Sequence, residues 1–220
     1  MPTEWKWLPP DPDDDYGLVA LDRRIDADRL VSAYRHGIFP WPDSDDRAPI
    51  PWVCPPRRAI LEFAALHVPK NLRKSRRKLA ALRFTADLAF DRVIRACAAA
   101  PRPGQRGTWI TPALVAAYVD LHRRGHAHSI EAWLDDALVA GLYGVTAGGV
   151  FAGESMFTRI DDGSKLCVLH LVEHLAARGA AWIDLQQLTP HFALLGAHEI
   201  PRAEFLAKLA AEQRAARVLF

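Results

Sequence analysis

Apolar residues recur at the spacing of an amphipathic helix in several segments of the chain. The first segment begins with Asp26 as the expected N-cap and ends at Gly37. In a later one, Ser164 is the expected cap and Gly179 the expected end. The segments that this pattern predicts to be helical are 26–37, 88–100, 111–125, 163–179 and 203–220.

Three segments in the second half of the chain change to a period of two, which is typical of strands. They read HSIEAWLD (128–135), ALVAGLYGV (137–145) and GVFAGESMF (149–157). Short turns at 135–136 and 147–149 join them, so we expect an antiparallel meander. A further short strand, WIDLQ (182–186), follows the helix predicted over residues 163–179.

Two of these strands carry polar residues that are candidates for the wall of a cleft. With strict alternation, Glu154 and Met156 share one face of their strand, and Asp184 and Gln186 share one face of theirs. If these faces meet, the cleft holds two carboxylates, one amide and an apolar floor, which is the mixture that a binding pocket needs. A solvated sheet face and ordinary core packing are the alternatives for the same residues.

The order of the predicted elements indicates an α+β protein with a mostly antiparallel sheet. Helices come first, three antiparallel strands follow, and a helix then crosses to another strand beside the meander. This order fits a GNAT-like acyltransferase domain, in which the acyl group is handled where two adjacent strands splay apart. We expect that domain over residues 61–220, after a small N-terminal domain over residues 1–60 that is rich in Pro, Trp and Asp.

Positive charge is concentrated in one part of the chain. Residues 61–110 hold 11 Lys or Arg residues against 3 Asp or Glu, although the net charge of the whole chain is only +2. Pro69 can open a helix there, and Arg102 and Arg106 follow in a later loop. A solvated helix surface is one interpretation, but we favour contact with the phosphates of a nucleic acid. The basic residues of this helix are Lys70, Arg73, Lys74, Arg76, Arg77 and Lys78.

The overall composition narrows the class of protein. Half of the residues are hydrophobic and a quarter are charged, as in an ordinary globular protein. No apolar run approaches the roughly 18 residues that a membrane span needs, and residues 1–17 lack the pattern of a signal peptide. Cys54, Cys97 and Cys167 are odd in number and widely spaced, so we expect reduced thiols and a cytoplasmic protein.

Several common catalytic patterns are missing from the sequence. It has neither a Walker loop nor the G-x-S-x-G elbow of a serine hydrolase. His126 and His128 could share a strand face, but no third ligand stands at a diagnostic spacing, so we expect no metal site. The turn TRIDDGSK (158–165) has a single glycine and two aspartates, where coenzyme A-dependent acetyltransferases of this fold have a multi-glycine loop for the pyrophosphate.

Six motifs, taken in order along the chain, resemble those of the bacterial leucyl/phenylalanyl-tRNA–protein transferases. They are GIFPWP (37–42), GTWITP (107–112), GHAHSIEAW (125–133), GESMFTR (153–159), SKLCVLHLVEHL (164–175) and IDLQQLTPHFALLGAHEIPR (183–202). The resemblance implies transfer of Leu or Phe, with Met as a further candidate, from aminoacyl-tRNA to proteins that begin with Lys or Arg. Such a transfer marks the acceptor for degradation through the N-degron pathway. The family's N-terminal domain and GNAT-like domain agree with the predicted order of elements.

The same resemblance implies roles for individual residues. Asp184 and Gln186 match the family's catalytic Asp-x-Gln, and Glu154, the third residue expected to be catalytic, matches the Glu of its G-E-S-M-F motif. Some members have Met at the position of Leu142, so the relative preference for Leu and Phe is open here. The substrate-binding residues that the resemblance implies are Trp52 and Trp109 around the aminoacyl-adenosine end, with Leu142, Met156 and Leu171.

The expected reaction requires no cofactor. An aminoacyl ester is already activated, so neither ATP, a metal ion nor a covalent enzyme nucleophile is needed. The attacking α-amine has an ordinary pKa of about 8. We expect Asp184 to act on this amine, oriented and partly relayed through Gln186, which only donates or accepts hydrogen bonds. Two other functions stay open: a coenzyme A-dependent N-acetyltransferase, and a tRNA-binding protein without catalytic activity.

Overall fold

The computed structural model describes residues 6–11, 14–43, 48–101, 108–146 and 149–220. Within these ranges the chain forms two β-sheets and a set of α-helices. The helices are α1 (Ala27–Arg35), α2 (Lys70–Lys78), α3 (Phe90–Ala99), α4 (Pro112–Arg123), α5 (Gly163–Ala176), α6 (Pro190–Ala193) and α7 (Arg202–Ala215). The strands are β1 (Leu18–Asp22), β2 (Phe39–Pro40), β3 (Ile50–Val53), β4 (Arg57–Glu62), β5 (Arg83–Ala86), β6 (Ala127–Leu134), β7 (Ala137–Thr146), β8 (Phe151–Thr158), β9 (Trp182–Gln186) and β10 (His198–Pro201).

Side chains cap α1 and α4 at the residues where the predicted segments begin, whereas a third expected cap is absent. The side chain of Asp26 accepts a hydrogen bond from a first-turn amide at 2.8 Å and so caps α1. Thr111 caps α4 in the same way, and Pro112 follows at the first helical position, where its missing N–H costs no bond. The prediction that Ser164 caps α5 is wrong, because Asp162 takes that place in a left-handed conformation with φ +59°.

The seven-stranded sheet has the strand order β10-β4-β9-β8-β7-β6-β5. The predicted meander is confirmed as β6, β7 and β8, which pair antiparallel; its second predicted turn includes 147–148, which lie outside the described residues. β8 and β9 run parallel and, among the described residues, pair at the single position Ala152–Asp184. The two strands therefore splay apart beyond it. A mixed α+β class with a mostly antiparallel sheet is confirmed.

A second, three-stranded sheet lies in the N-terminal part of the chain, in the order β1-β3-β2. The period-two pattern alone does not predict these short strands, nor β4, β5 and β10 of the large sheet. β4 inserts between β10 and β9 and so brings residues 57–62 into the large sheet. The division of the chain at residue 60 stays a prediction, and this residue lies within β4.

Helices cover both faces of the large sheet and bury an apolar core on each side. On one face, Val93 and Cys97 of α3 pack together with α4, α1 and the small sheet, as the stripe on α3 predicts. On the other face, α5 packs through Leu166 and Leu169, and α2 adds Leu72. The splayed β8–β9 pair lies between these two cores, so a side chain from either core can reach the gap.

Candidate active site

A cavity of about 410 Å³ opens where β8 and β9 splay apart, and we call it the β8–β9 cavity. Its wall is mostly apolar and takes side chains from both cores and from the N-terminal part of the chain. The polar residues Glu154 and Gln186 also lie in this wall. The apolar part of the wall includes Phe39, Trp41, Trp109, Leu142, Met156 and Leu171.

The cavity brings together four of the five residues expected to bind substrate, namely Trp109, Leu142, Met156 and Leu171. The expectation for Trp52 is corrected, because its side chain is 0% exposed and does not line the cavity. Trp52 lies on β3, where its ring packs near Trp7 and below the guanidinium of Arg29. Trp41, which is 42% exposed, is the tryptophan of this region that lines the cavity.

Glu154 points where it does because β8 contains a β-bulge. Tyr143 of β7 pairs with Ser155 and Gly144 pairs with Gly153, so Glu154 is the extra residue between them. The prediction that Glu154 and Met156 share a face is therefore wrong. Met156 packs with the core under α5, whereas Glu154 turns towards α1 and α4. Both nevertheless reach the cavity.

Three hydrogen-bond donors surround the carboxyl group of Glu154. The Tyr34 hydroxyl of α1 donates to Oε1 at 2.6 Å, the Tyr118 hydroxyl of α4 donates to Oε2 at 3.0 Å, and the Gln186 amide also donates to Oε1. Burial raises the pKa of Glu154 to about 7, although these donors oppose the rise by stabilising the carboxylate. Near neutral pH Glu154 is therefore ready both to accept and to release a proton.

Gln186 enters the cavity through an unusual backbone conformation. Its φ is +64°, a left-handed value that residues other than glycine seldom adopt. The carboxylate of Asp184 accepts a hydrogen bond from the Gln186 backbone amide at 2.9 Å and holds this turn in place. Ile183 and Leu185 line the cavity by strand alternation, while Asp184 does not. The predicted shared face of Asp184 and Gln186 is therefore wrong.

Asp184 is committed to a buried ion pair. Arg58 Nε donates to Asp184 Oδ1 at 2.8 Å, and Arg58 Nη2 donates to Oδ2 at 2.7 Å. The rings of Phe39 and Phe205 lie 4.6 Å and 4.5 Å from the guanidinium carbon. The guanidinium binds both oxygens and Asp184 lies outside the cavity wall, so the structure does not place this carboxylate against a substrate amine, and its catalytic role stays a prediction. What Asp184 does contact is the backbone of Gln186.

Sequence reasoning missed Tyr34, Tyr118, Arg58 and Trp41. Tyr34 and Tyr118 lie in the apolar stripes of their helices, where they are indistinguishable from core residues by periodicity. The feature that could have identified these two tyrosines is the phenol hydroxyl, because a buried hydroxyl requires a hydrogen-bond partner. Arg58 lies in β4, beside the apolar residues of that strand, and a fully buried arginine implies an acidic partner elsewhere in the chain.

The predicted basic helix is confirmed as α2, and its six basic side chains are exposed. Within the helix no acid neutralises them, but Arg76 pairs with Glu173 of α5 at 2.8 Å. Ser75 also donates to Asp162, at the start of α5, at 2.7 Å. α2 is therefore attached to the helix that lines the cavity through Leu171. The loop arginines at 102 and 106 lie outside the described residues.

Other features of the described residues concern metals, membranes and thiols. Within the described ranges, no group of three or more His, Cys, Asp or Glu side chains is placed to hold a metal ion. No helix in the part of the chain that the structure describes is long and apolar enough to cross a membrane. Cys54, Cys97 and Cys167 are buried, and none of the three forms a disulfide bond within the described residues.

A titratable carboxyl beside an oriented amide, in the wall of an apolar cavity, is typical of an enzyme active site. Comparison with known proteins makes the assignment specific. The family model described as leucyl/phenylalanyl-tRNA protein transferase matches residues 60–210, and the model of that family's N-terminal domain matches residues 23–56. The chain therefore belongs to this family, as its motifs indicate, and it is an aminoacyltransferase.

Curated relatives support the same assignment. The leucyl/phenylalanyl-tRNA–protein transferase of Anaeromyxobacter sp. (strain K) is 52% identical over 194 residues, which is 88% of this chain and 82% of that protein. The transferase of the same name from Anaeromyxobacter sp. (strain Fw109-5) is 48% identical over 209 residues, 95% of this chain and 88% of that protein. The transferase of the same name from Pseudomonas syringae pv. syringae (strain B728a) is 50% identical over 189 residues, which is 86% of this chain and 81% of that protein.

Proposed function

We propose that this protein transfers Leu or Phe from charged tRNA to the N-terminal α-amine of proteins that begin with Lys or Arg, marking them for degradation through the N-degron pathway. The observation that carries the proposal is the β8–β9 cavity, which combines an apolar wall with Glu154 and Gln186. The relatives' name, leucyl/phenylalanyl-tRNA–protein transferase, describes a transfer of this kind. The reaction takes place in the cytoplasm, where charged tRNA is found.

The domain that carries this activity has, we propose, a GNAT-like fold. α5 connects β8 to β9, and the two strands run parallel with a single paired position among the described residues. In the GNAT arrangement the acyl group lies at such a splayed pair. Here the cavity opens at the same place, so the fold assignment and the position of the site support each other.

The aminoacyl side chain occupies the apolar part of the cavity, against Leu142, Met156 and Leu171. Leu and Phe have an unbranched Cβ with bulk further out, whereas Val and Ile are branched at Cβ. A pocket with a narrow mouth and a wider interior accepts the first pair and rejects the second. Met also has an unbranched Cβ, and it is the next candidate.

The tRNA contacts the basic face of α2. Lys70, Arg73, Lys74, Arg77 and Lys78 present exposed charges for phosphate, while Arg76 is held by Glu173. α2 is attached to α5, and α5 lines the cavity. A tRNA bound to α2 therefore has its aminoacylated end near the β8–β9 cavity. This arrangement gives the excess of positive charge in residues 61–110 a function.

The acceptor's α-amine lies beside Glu154 and Gln186. Gln186 donates through its amide nitrogen to Glu154, which leaves the amide oxygen to accept a hydrogen bond from the amine. The enzyme's main contribution is to align the amine with the ester carbonyl. The aminoacyl ester is activated before it binds, so the proposal includes no cofactor.

The alternative of a coenzyme A-dependent N-acetyltransferase is disfavoured by Asp162. Its carboxylate stands at the start of α5 and accepts hydrogen bonds from Lys165 at 2.6 Å and Ser75 at 2.7 Å. This is where acetyltransferases of this fold bind a pyrophosphate, and a carboxylate repels that group. Calorimetry with acetyl-coenzyme A is expected to show no binding.

The proposed function is tested with labelled leucyl-tRNA and a set of peptides that differ only in the first residue. We expect label to reach peptides that begin with Arg or Lys and not those that begin with Ala, Asp or Gly. Gln186→Leu, which keeps a side chain of similar size without the amide, is expected to bind tRNA normally and to transfer slowly. Equal transfer to every peptide contradicts the acceptor assignment, and tRNA binding without transfer identifies a binding protein.

A further inference from the structure

Three oxygen-bearing side chains meet in a triangle of short contacts at the wall of the cavity, and we call them the Tyr–Glu cluster. Tyr34 lies 2.6 Å from a carboxyl oxygen of Glu154, and Tyr118 lies 3.0 Å from the other. The two phenol oxygens are themselves only 2.7 Å apart. The three residues come from α1, β8 and α4, so distant parts of the chain converge on this point.

The number of protons in the cluster depends on the state of Glu154. Each of the three short contacts needs a proton between its two oxygens, but the two phenols supply only two. When Glu154 is ionised and both phenols donate to it, Tyr34 and Tyr118 face each other with lone pairs. One further proton, on Glu154, lets all three contacts become hydrogen bonds. The cluster therefore has a place for one additional proton at the wall of the cavity.

We propose that the Tyr–Glu cluster accepts a proton from the acceptor amine and returns it to the leaving ribose oxygen, with Glu154 as the catalytic group. This assignment rests on the proposed function. Tyr34 and Tyr118 are positioning residues, which stabilise both proton states of Glu154 by changing the direction of their hydrogen bonds.

The proposed step conserves atoms and charge. The neutral amine forms a C–N bond to the ester carbonyl, and the nitrogen releases one proton to the carboxylate of Glu154. The bond between the carbonyl carbon and the ribose oxygen of the tRNA then breaks. That oxygen leaves with the proton from Glu154, so the carboxylate is regenerated and the products are an amide and a free hydroxyl group. No oxidation or reduction takes place.

The surroundings leave Glu154 as the group that exchanges this proton. The charge of Asp184 is paired with Arg58, and burial raises the pKa values of Tyr34 and Tyr118 well above their ordinary range, so the phenols donate without ionising. A pKa of about 7 suits Glu154 for both halves of the exchange. The groups that face it are Tyr34 of α1, Tyr118 of α4, Gln186 and Asp184 of β9, with Tyr143 of β7 and Arg58 of β4 behind them.

Infrared spectroscopy of the folded enzyme without substrates tests the extra proton directly. We expect a C=O band of a protonated carboxyl that disappears as the pH rises through about 7 and is absent from Glu154→Gln. Glu131→Gln is the matched control, because Glu131 is a buried carboxyl that accepts from Ser129 and Thr85 outside the cavity. That variant is expected to keep the band. A wild-type spectrum without the band overturns the proposal.

Single-turnover transfer from leucyl-tRNA to an Arg-initiated peptide tests the role of the proton. The wild-type rate is expected to rise with pH as the acceptor amine, with a pKa of about 8, and Glu154, with a pKa of about 7, lose their protons. Glu154→Gln is expected to keep only the rise that the amine causes and to lose about 10²–10⁴-fold in rate. Tyr118→Phe removes a donor that stabilises the Glu154 carboxylate, so in this variant the rise in rate that Glu154 causes is expected at higher pH. Transfer by the wild type with an unchanged pH profile in Glu154→Gln overturns the proton role alone. Absence of wild-type transfer overturns the proposed function as well.

Discussion

Both carboxylate oxygens of Asp184 are bound by one guanidinium group, that of Arg58, at 2.8 Å and 2.7 Å. The side chains are only 4% and 1% exposed. Arg58 also donates to the backbone oxygen of Gly37, just after α1, at 3.0 Å. Because Asp184 accepts from the backbone amide of Gln186, this ion pair joins the N-terminal part of the chain to the left-handed turn that directs Gln186 towards Glu154.

Replacing Arg58 by Lys is expected to impair both stability and transfer. A lysine keeps the positive charge but cannot donate to two carboxylate oxygens and a backbone oxygen in the fixed geometry of a guanidinium. We expect the free energy of unfolding to fall by about 1–3 kcal/mol, as for buried polar groups left without a partner. We also expect transfer to be at least about tenfold slower, because Gln186 is then held less precisely beside the reacting groups. Urea unfolding and single-turnover transfer measure the two effects.

Arg57→Lys is the matched control for that variant. Arg57 is the preceding residue on β4, its side chain is 55% exposed, and it lies 3.8 Å from Glu199. Exposed ion pairs contribute little to stability, so Arg57→Lys is expected to behave like the wild type. If Arg58→Lys also leaves the free energy of unfolding and the transfer rate unchanged, the ion pair does not position Gln186.

Trp41 and Trp52 are expected to respond in opposite ways to replacement by Ala. Trp41 lines the cavity, so Trp41→Ala is expected to raise the KM for leucyl-tRNA with little change in Tm. Trp52 is fully buried in the core that α1, α3 and α4 share with the small sheet, so Trp52→Ala is expected to lower the free energy of unfolding by about 3–5 kcal/mol. Thermal unfolding and steady-state kinetics of the two variants check this, and the reverse pattern contradicts the assignment of Trp41 to the site.

Leu142 and Met156 are expected to set the preference among aminoacyl groups. They face each other on paired strands, and both line the cavity. Leu142→Met is expected to alter the ratio of Leu to Phe transfer while still rejecting Val, and Met156→Ala is expected to relax selection. A single methylene in such a pocket is worth about 1–3 kcal/mol. Transfer from Leu-, Phe-, Met- and Val-charged tRNA to one Arg-initiated acceptor gives these ratios, and unchanged ratios remove both residues from the pocket.

Reversing the charges of Arg73, Lys74 and Arg77 is expected to weaken tRNA binding and to flatten its dependence on salt. Each phosphate contact releases counterions, so losing three contacts reduces the slope of log K against log salt concentration by about 2–3. Arg214→Glu, an exposed site on α7, is the control and is expected to leave the slope unchanged. Filter binding at several salt concentrations measures the slope, and an unchanged slope in the triple variant places the tRNA elsewhere.

Glu154 is expected to make the protein less stable as the pH rises through neutrality. Its pKa is about 7 in the folded protein, above the ordinary value of about 4.3 for an unfolded chain. Between these values the folded state binds more protons than the unfolded state, so the stabilisation from this group is complete below the lower value and is lost as the pH passes about 7. Glu154→Gln is expected to lose less stability than the wild type over that range. Parallel curves of Tm against pH contradict the raised pKa.

The sequence predicts the meander from local alternation and some of the cavity residues from the family resemblance. Alternation identifies β6, β7 and β8, and the resemblance points to Glu154 and Gln186, which do meet at the cavity. Strict alternation gives wrong faces for both, because one residue sits in a bulge and the other has a positive φ. Glu154 in the bulge contacts phenols from distant parts of the chain, and the turn at Gln186 depends on a hydrogen bond to the Asp184 side chain two residues earlier; a period-two pattern shows neither.

The other residues and strands that the sequence does not predict correctly depend on contacts between distant parts of the chain or are too short to show a pattern. Trp41 and Trp52 flank the same proline-rich segment, and only the pairing of β3 between β1 and β2 decides which ring is buried. Arg58 becomes meaningful once Asp184 lies beside it, 126 residues further along the chain. β4, β5 and β10 contain 4 to 6 residues each, too few for a periodic signal.

The most direct test of the account is the mass of an Arg-initiated peptide after incubation with the enzyme and leucyl-tRNA, beside the same peptide acetylated at its α-amine. We predict that the free peptide gains the mass of one leucine residue at its N-terminus, that the acetylated peptide gains nothing, and that acetyl-coenzyme A in place of leucyl-tRNA modifies neither. A free peptide left unmodified by leucyl-tRNA, or one modified only by acetyl-coenzyme A, would contradict the assignment of the β8–β9 cavity to aminoacyl transfer.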